Sequence, residues 1–233
     1  MSKLNNVRAK GLLSLCIVVG VLFCDQLIKV IVKTTMYRGE SIHIFDWFQI
    51  YFTENKGMAF GWDFVGTFFL ASFRLVAVAF LIYYLVRSIK RNVSVGLVVC
   101  LSLILSGAAG NIFDNVFYGL IFEDSTMGSV AHFVPFGYGY AGFLQGHVVD
   151  MFYFPIIDTY LPSWLGGDHF VFFSPIFNLA DAAISCGGVA LLLFYHKYLG
   201  INNKEDEVLN TSSSEEQKDK FPPQKTAVVE PKA

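Results

Sequence analysis

The chain has 233 residues, of which 54% are hydrophobic and 15% charged, whereas an ordinary soluble domain has about 25% charged residues. The last 33 residues carry 12 of the 36 charged side chains, so the first 200 carry only 24. A body this apolar excludes a water-soluble fold, and a net charge of −2 excludes the basic surface of a nucleic-acid-binding protein. The four cysteines lie in apolar runs without a C-x-x-C spacing, which argues against a disulfide framework and a thiolate metal site.

Four apolar stretches are long enough to cross a bilayer, which requires about 20 helical residues. They cover 12–32, 64–86, 94–118 and 176–195. The first continues past Asp25 and Lys29 without a small-residue cleavage site, so it is a retained helix rather than a signal peptide. The fold class predicted is therefore an all-α polytopic membrane protein with four transmembrane helices.

The positions of lysine and arginine predict how these helices are oriented. Basic residues occur before the first span, between the second and third, and after the fourth, but none occurs over 93–195. Since positive charge stays on the cytoplasmic side, both termini are predicted to be cytoplasmic, with segments 33–63 and 119–175 outside. Within the first outer segment, 42–52 alternates apolar and polar residues, which indicates a small extracytoplasmic β element.

Two segments differ in composition from the rest of the membrane domain, which is predicted to cover 1–200. Within the second outer segment, 123–145 is rich in glycine and aromatic residues, which fits either an interfacial loop or a lid. The end of the chain, 201–233, is polar and of mixed charge and contains prolines. This composition is typical of disorder, so we predict a disordered cytoplasmic tail.

Polar side chains gather at one depth in three of the four spans. Each charged side chain at mid-bilayer costs about 2.5–3.5 kcal/mol, so such residues are functional candidates. They occur as pairs spaced i, i+3 or i, i+4, which share a helix face, and the predicted orientation places every pair in the outer leaflet. The pairs are Asp25 and Lys29, Asn111 and Asp114, and Asn178 and Asp181. They can form one inward-facing site, or each can satisfy a local need such as a helix cap.

Carboxylates sharing a poorly solvated site hold one proton between them, which suits an aspartic-protease mechanism. The candidates are Asp150, which follows two valines in the second outer segment, and Asp181. A serine–lysine scheme that uses Lys29 is weaker, because Asp25 one turn away holds that lysine charged.

A metal mechanism has little support in the sequence. The chain has no H-E-x-x-H motif. Three histidines share the second outer segment without metal-ligand spacing, namely His132, His147 and His169. We therefore predict neither a metal nor another cofactor.

Five short motifs, taken in order, resemble those of the lipoprotein signal peptidase (signal peptidase II) family. Each is weak alone, but their order on a four-span chain is specific. They are D-Q-L-I-K at 25–29, N-x-G-x-A-F at 55–60, G-N-x-x-D at 110–114, V-V-D at 148–150 and F-N-x-A-D at 177–181.

The resemblance implies an aspartic endopeptidase of the bacterial cytoplasmic (inner) membrane. Its substrates would be diacylglyceryl-modified prolipoproteins, cleaved just before the lipidated cysteine, and globomycin-type inhibitors would block it. By motif position the catalytic pair is Asp150 and Asp181. Residues expected to bind substrate or support the pair are Asp25, Lys29, Asn55, Gly57, Asn111, Asp114 and Asn178.

Two features depart from the family pattern. Asn115 follows the G-N-x-x-D aspartate, where the family usually has arginine, which puts an expected ion pair or lipid-phosphate contact in doubt. Segment 123–145 is an insertion expected to project outside the membrane. Arg74, near the middle of the second span, has no local partner and receives no role.

Two readings from other classes compete with the peptidase. A small transporter or channel subunit would use the intramembrane carboxylates to relay protons or ions. A non-catalytic scaffold would use them only to join helices, and Asp150 would then be dispensable.

Overall fold

A computed structural model describes residues 2–56 and 63–195 of the chain. Residues Met1–Leu191 form one compact unit, and Leu192–Ala233 forms a second. Of the second unit only residues 192–195 are described. The predicted tail, 201–233, lies outside the described residues, and the predicted domain boundary at residue 200 stays a prediction.

Helices account for most of the described chain. The long helix α3 runs directly into a π-helical turn, Asp114–Tyr118, and a short last turn, α4. The helices are α1 (Ser2–Thr35), α2 (Asp63–Lys90), α3 (Val95–Phe113), α4 (Gly119–Ile121) and α5 (Leu179–Phe194). Within residues 2–56 and 63–195, three stretches are long and apolar enough to cross a membrane, namely Asn6–Thr35, Phe68–Lys90 and Val95–Ile121. They correspond to the first three predicted spans.

The fourth predicted span, 176–195, is wrong at its start. Ile176 and Phe177 form a strand, β6, and α5 begins only at Leu179. An apolar dipeptide has no periodicity that distinguishes strand from helix. The 16 residues of α5 measure about 24 Å along the axis, which is shorter than the hydrocarbon core of about 30 Å.

A small antiparallel sheet packs beside the helices, so the predicted β element is confirmed but is larger than 42–52. Its strands follow the order β1-β2-β3-β6, and a separate hairpin pairs β4 with β5. The strands are β1 (Ser41–Phe45), β2 (Phe48–Asn55), β3 (Val148–Tyr153), β4 (Ile157–Tyr160), β5 (His169–Phe172) and β6 (Ile176–Phe177). The chain is thus a helical membrane protein with a β-sheet, and all-α describes only its spans.

A buried apolar cluster joins the sheet to the helices. It includes residues at the end of α1, in the π-helical turn, directly after α4, and in strands β2 and β3: Val32, Met36, Phe52, Tyr118, Phe122, Val149 and Met151. Burying such side chains removes apolar area from water at roughly 25 cal/mol per Å². The cluster fixes β3, and therefore Asp150, against the C-terminal end of α1 and the turns that follow α3.

Glycines let α3 approach its neighbours closely. A Cβ placed on Gly107 would overlap the Ala180 carbonyl oxygen at the start of α5. A Cβ on Gly110 would lie 2.7 Å from the Asp25 carboxylate of α1. Both helices therefore contact α3 at backbone distance.

We expect Gly107→Ala to destabilise the protein, because α5 must move away from α3 to admit the new methyl group. Overpacking of this kind costs about 1–3 kcal/mol, which thermal unfolding in detergent would detect as a lower Tm. Gly20→Ala is the matched control, since nothing lies within 4 Å of a Cβ placed there. Equal Tm values for the two variants would contradict the close packing of α3 and α5.

Candidate active site

The centre of the site is the ammonium group of Lys29, which is fully buried. Its Nζ lies 2.9 Å from Asp25 Oδ2 and 2.8 Å from Asp114 Oδ2. It also donates a 3.0 Å hydrogen bond to Asn111 Oδ1. The predicted pairs on α1 and α3 are therefore one cluster, in which two carboxylates offset the charge of one buried lysine.

The same cluster continues to α5. The Asn111 amide donates to Asp181 Oδ1 at 2.8 Å, and the Asn178 amide donates to Asn111 Oδ1 at 3.2 Å. On the other side, Asp25 Oδ1 accepts the backbone N–H of Ala180 at 2.9 Å. All three predicted polar pairs thus meet, although any one of them could have served only a local need.

Asn178 forms hydrogen bonds to both of the aspartates that the sequence predicts to be catalytic. Its side-chain amide donates to Asp150 Oδ1 at 2.6 Å. Its side-chain oxygen accepts the Asp181 N–H at 2.9 Å, and its own N–H lies 3.4 Å from Asp181 Oδ2. Asp150 and Asp181 therefore lie on two sides of one asparagine that also caps α5.

The two carboxylates have different surroundings. Asp150 lies in β3 rather than on a loop and is only 4% exposed, whereas Asp181 is half-buried. Burial raises the pKa of Asp150 to about 7, and the negative charge of Asp181 adds to this rise, while the hydrogen bond from Asn178 opposes it. A carboxyl group whose pKa lies in this range can donate a proton near neutral pH.

A cavity of about 670 Å³ opens beside Asp150. Thr53 and Asn55 of β2 line it, and in the sheet they pair with Asp150 and Val148 of β3. Asn55 is exposed, as expected for a residue that binds an extended peptide. Gly57, the other predicted substrate-binding residue of this motif, lies outside the described residues.

Gln26 is a site residue that the sequence reasoning missed. Its amide donates to Asp114 Oδ1 at 2.8 Å and to Asp25 Oδ2 at 3.2 Å. Its side-chain oxygen accepts the hydroxyl of Tyr118 at 3.1 Å. Helical spacing gave no signal for it, because a residue next to Asp25 does not share the face of the i, i+4 pair.

Arg74 has a partner on a different helix. Its guanidinium donates to Asn115 Oδ1 at 3.0 Å, and the Asn115 amide donates to the Gly146 carbonyl at 2.7 Å. Asn115 is the residue that departs from the family pattern. The guanidinium that the pattern would place after Asp114 is therefore present nearby, supplied by α2.

Among the described residues, one group has the spacing of a metal site, namely Glu54, Asp124 and His147, whose ligand atoms lie within 4.8 Å of one another. Glu54 is also paired with the buried ammonium of Lys33. Burial opposes ionisation of Glu54, but the His147 hydrogen bond and the Lys33 charge outweigh it and lower its pKa. Since Lys33 already neutralises the carboxylate, we read this group as an internal ion pair, and the expectation of no metal stays a prediction.

The three histidines considered for zinc each have a different hydrogen-bond partner. His147 lies against Glu54 at 3.4 Å, whereas His169 pairs with Asp158 in the exposed β4–β5 hairpin. The backbone N–H of His132 bonds to Glu123.

Comparisons with known proteins agree with the motifs. The family model described as signal peptidase (SPase) II matches residues 17–197. A lipoprotein signal peptidase of Porphyromonas gingivalis is 46% identical over 196 residues, covering 82% of this chain and 86% of the relative. One of Amoebophilus asiaticus is 36% identical and covers 72% of this chain and 71% of the relative.

A solved structure described as a bacterial membrane enzyme has the same fold. It matches with a TM-score of 0.52 and 25% identity, over 82% of this chain and 92% of that chain. The family match contains all five motifs, and it overturns the transporter and scaffold interpretations. The chain belongs to the lipoprotein signal peptidase (signal peptidase II) family, the aspartic peptidases that remove signal peptides from prolipoproteins.

Proposed function

We propose that Asp150 and Asp181 are the catalytic pair with which this peptidase cleaves before the diacylglyceryl-modified cysteine of its substrates. The observation that carries the proposal is the position of Asn178, which hydrogen-bonds to Asp150 and to Asp181 together. Among the described residues that line the 670 Å³ cavity, the other carboxylate is that of Glu54, which is already paired with the buried ammonium of Lys33.

The different surroundings of the two groups suggest how they divide the work. Because its pKa is raised to about 7, Asp150 is the member of the pair that we propose as the proton donor. Asp181 accepts hydrogen bonds from Asn111 and Asn178 and presents a carboxylate to water. In this scheme Asp181 takes a proton from water, the resulting hydroxide attacks the scissile carbonyl carbon, and Asp150 protonates the carbonyl oxygen. When the tetrahedral intermediate collapses, one of its hydroxyl groups returns a proton to Asp150 as the C=O bond re-forms. The C–N bond breaks, and the amine of the cysteine leaves with the proton from Asp181.

The remaining site residues are proposed to position this pair or to bind the substrate. Lys29, Asp25 and Asp114 form the buried charge cluster, which positions Asn111 and, through it, Asp181. Asn55 and Gly57 are proposed to bind the substrate backbone, as their motif implies. The chemistry requires no cofactor or metal.

The proposed setting is the bacterial cytoplasmic membrane, with α1, α2, α3 and α5 crossing it and both termini in the cytoplasm. This orientation rests on the positive-inside distribution of lysine and arginine. It places the catalytic pair near the outer leaflet, where the acyl chains of a diacylglyceryl-cysteine lie. Globomycin-type inhibitors would occupy the same cavity.

Replacing either proposed catalytic residue, as in Asp150→Asn or Asp181→Asn, should reduce cleavage by about 10²–10⁴-fold or more, because general acid and base steps each contribute on this scale. The measurement is loss of the signal segment from a diacylglyceryl-modified prolipoprotein on a gel. Asp158→Asn is the control, since Asp158 lies in the exposed hairpin. Full activity in either site variant, with the Tm retained, would overturn the assignment.

The pH profile provides a second test of the pair. Because the pKa of Asp150 is raised to about 7, the proton needed for the carbonyl oxygen is held below that pH and lost above it. We expect kcat/KM to fall tenfold per pH unit above about pH 7, the slope for loss of one proton. A rate that stays level to pH 9 would show that the proton is supplied elsewhere.

Lys29→Met should destabilise the protein and reduce cleavage, because it leaves Asp25 and Asp114 buried without their counter-charge. Breaking a buried ion pair costs about 3–5 kcal/mol, so thermal unfolding in detergent should show a clear drop in Tm. The control is Arg8→Gln, at an exposed position near the start of the same helix. An unchanged Tm for Lys29→Met would show that the cluster does not contribute to the stability of the fold.

A further inference from the structure

The cavity beside Asp150 has a second wall that the peptidase motifs do not account for. Asp150, Thr53 and Asn55 line one side of it, and Arg38 and Met127 also line it. Arg38 lies three residues beyond the end of α1, and Met127 belongs to the insertion, 123–145. This wall is therefore formed by parts of the chain outside the five motifs.

Backbone contacts hold the insertion against the end of α1. The Arg38 N–H donates to the Thr126 carbonyl at 3.0 Å, and Tyr37 forms a bridge with Val130. Beneath these contacts, the buried Lys33 ammonium donates to Ser125 Oγ at 2.9 Å. The insertion is thus attached beside the cavity by contacts to three neighbouring residues of the chain, and this favours a fixed wall over a lid.

The Arg38 guanidinium is half-buried in this wall and has no acidic partner in the described chain. Glu54 lines the same cavity, but its carboxylate is paired with Lys33 and His147. A guanidinium cannot lose its proton in a protein and offers five donors in a fork that matches a carboxylate. A half-buried arginine without an internal partner beside a catalytic residue points to an anionic group on the substrate.

We propose that Arg38 binds an acidic side chain of the substrate, within the first residues after the cleaved bond, and so favours prolipoproteins with Asp or Glu there. The inference rests on the proposed function, because it takes the cavity to be the substrate site. Arg38 lies beyond the membrane-spanning stretch Asn6–Thr35. The apolar signal segment stays in the bilayer, so the part of the substrate that enters the cavity is the mature segment behind the cysteine. Met127 provides apolar contact for that segment.

A lipid phosphate is the other anionic group that an arginine near a membrane surface could bind. The position of Arg38 favours the peptide, because the residue opens into the cavity that contains Asp150 rather than onto a lipid-facing helix surface. The two sources differ in one respect that can be measured. A carboxylate on the substrate changes the preference between substrates, whereas a lipid phosphate changes the rate for all substrates alike.

The experiment compares two diacylglyceryl-modified prolipoproteins that differ only in the two residues after the cysteine, Asp-Asp in one and Asn-Asn in the other. Cleavage by the full chain in detergent is followed with and without added phosphatidylglycerol. We expect the acidic substrate to have a KM about tenfold lower at similar kcat, the size of one charge-assisted hydrogen bond. Raising the salt concentration should reduce this preference.

In Arg38→Gln the preference should disappear, while the neutral substrate is cleaved as by the unaltered protein. Arg38→Lys should restore part of it, and Arg91→Gln, an exposed position at the other end of the spans, should leave it intact. Equal KM values for the two substrates in the unaltered protein, or a preference that survives Arg38→Gln, would overturn the inference. So would a loss of rate with both substrates that depends on phosphatidylglycerol, which would assign Arg38 to lipid. Failure to cleave either substrate would instead refute the proposed function.

Discussion

The structure depends on one buried cation, the ammonium of Lys29. In a low-dielectric interior a lone ammonium is far too costly, so the fold must bring carboxylates to it. Asp25 comes from the same helix and Asp114 from α3, and each lies within 2.9 Å of the Lys29 Nζ. The pairing fixes α1 and α3 in register, because a shift of one helical turn would leave at least one of the three charges unpaired.

The same carboxylates then determine where the rest of the site lies, because each also accepts a backbone N–H group from another element. Asp25 Oδ1 accepts the Ala180 N–H at the start of α5. Asp114 Oδ2 lies 3.3 Å from the Val149 N–H, next to Asp150 in β3. The two elements that carry the proposed catalytic pair are thus bonded to the two counter-ions of Lys29. Hydrogen bonds therefore connect the buried charges at the centre to the proposed catalytic carboxylates at the edge.

The sequence was sufficient to predict features that follow from helical spacing and from the free-energy cost of charge in a bilayer. It was insufficient for features that arise only from tertiary contacts. The i, i+3 and i, i+4 pairs predicted the shared faces of Asp25, Lys29, Asn111 and Asp114, and the energetic cost of charge in a bilayer marked them as functional candidates. Gln26 has no such spacing, and its role arises only because Tyr118 and Asp114 come from another helix. The start of α5 was misplaced because strand β6 exists only through its pairing with β3.

Asn115 illustrates why a motif departure read from sequence alone can mislead. A guanidinium was expected directly after Asp114, and its replacement by an amide suggested that a charge had been lost from the site. In the fold, α2 brings Arg74 to that amide at 3.0 Å, so the positive charge is retained and only its origin in the chain has moved. The amide also bonds to the Gly146 carbonyl, four residues before Asp150, which an arginine held in an ion pair would not do in the same way. Asn115 therefore joins α2 and α3 to the segment that leads into β3, a role that depends on three distant parts of the chain and leaves no local pattern.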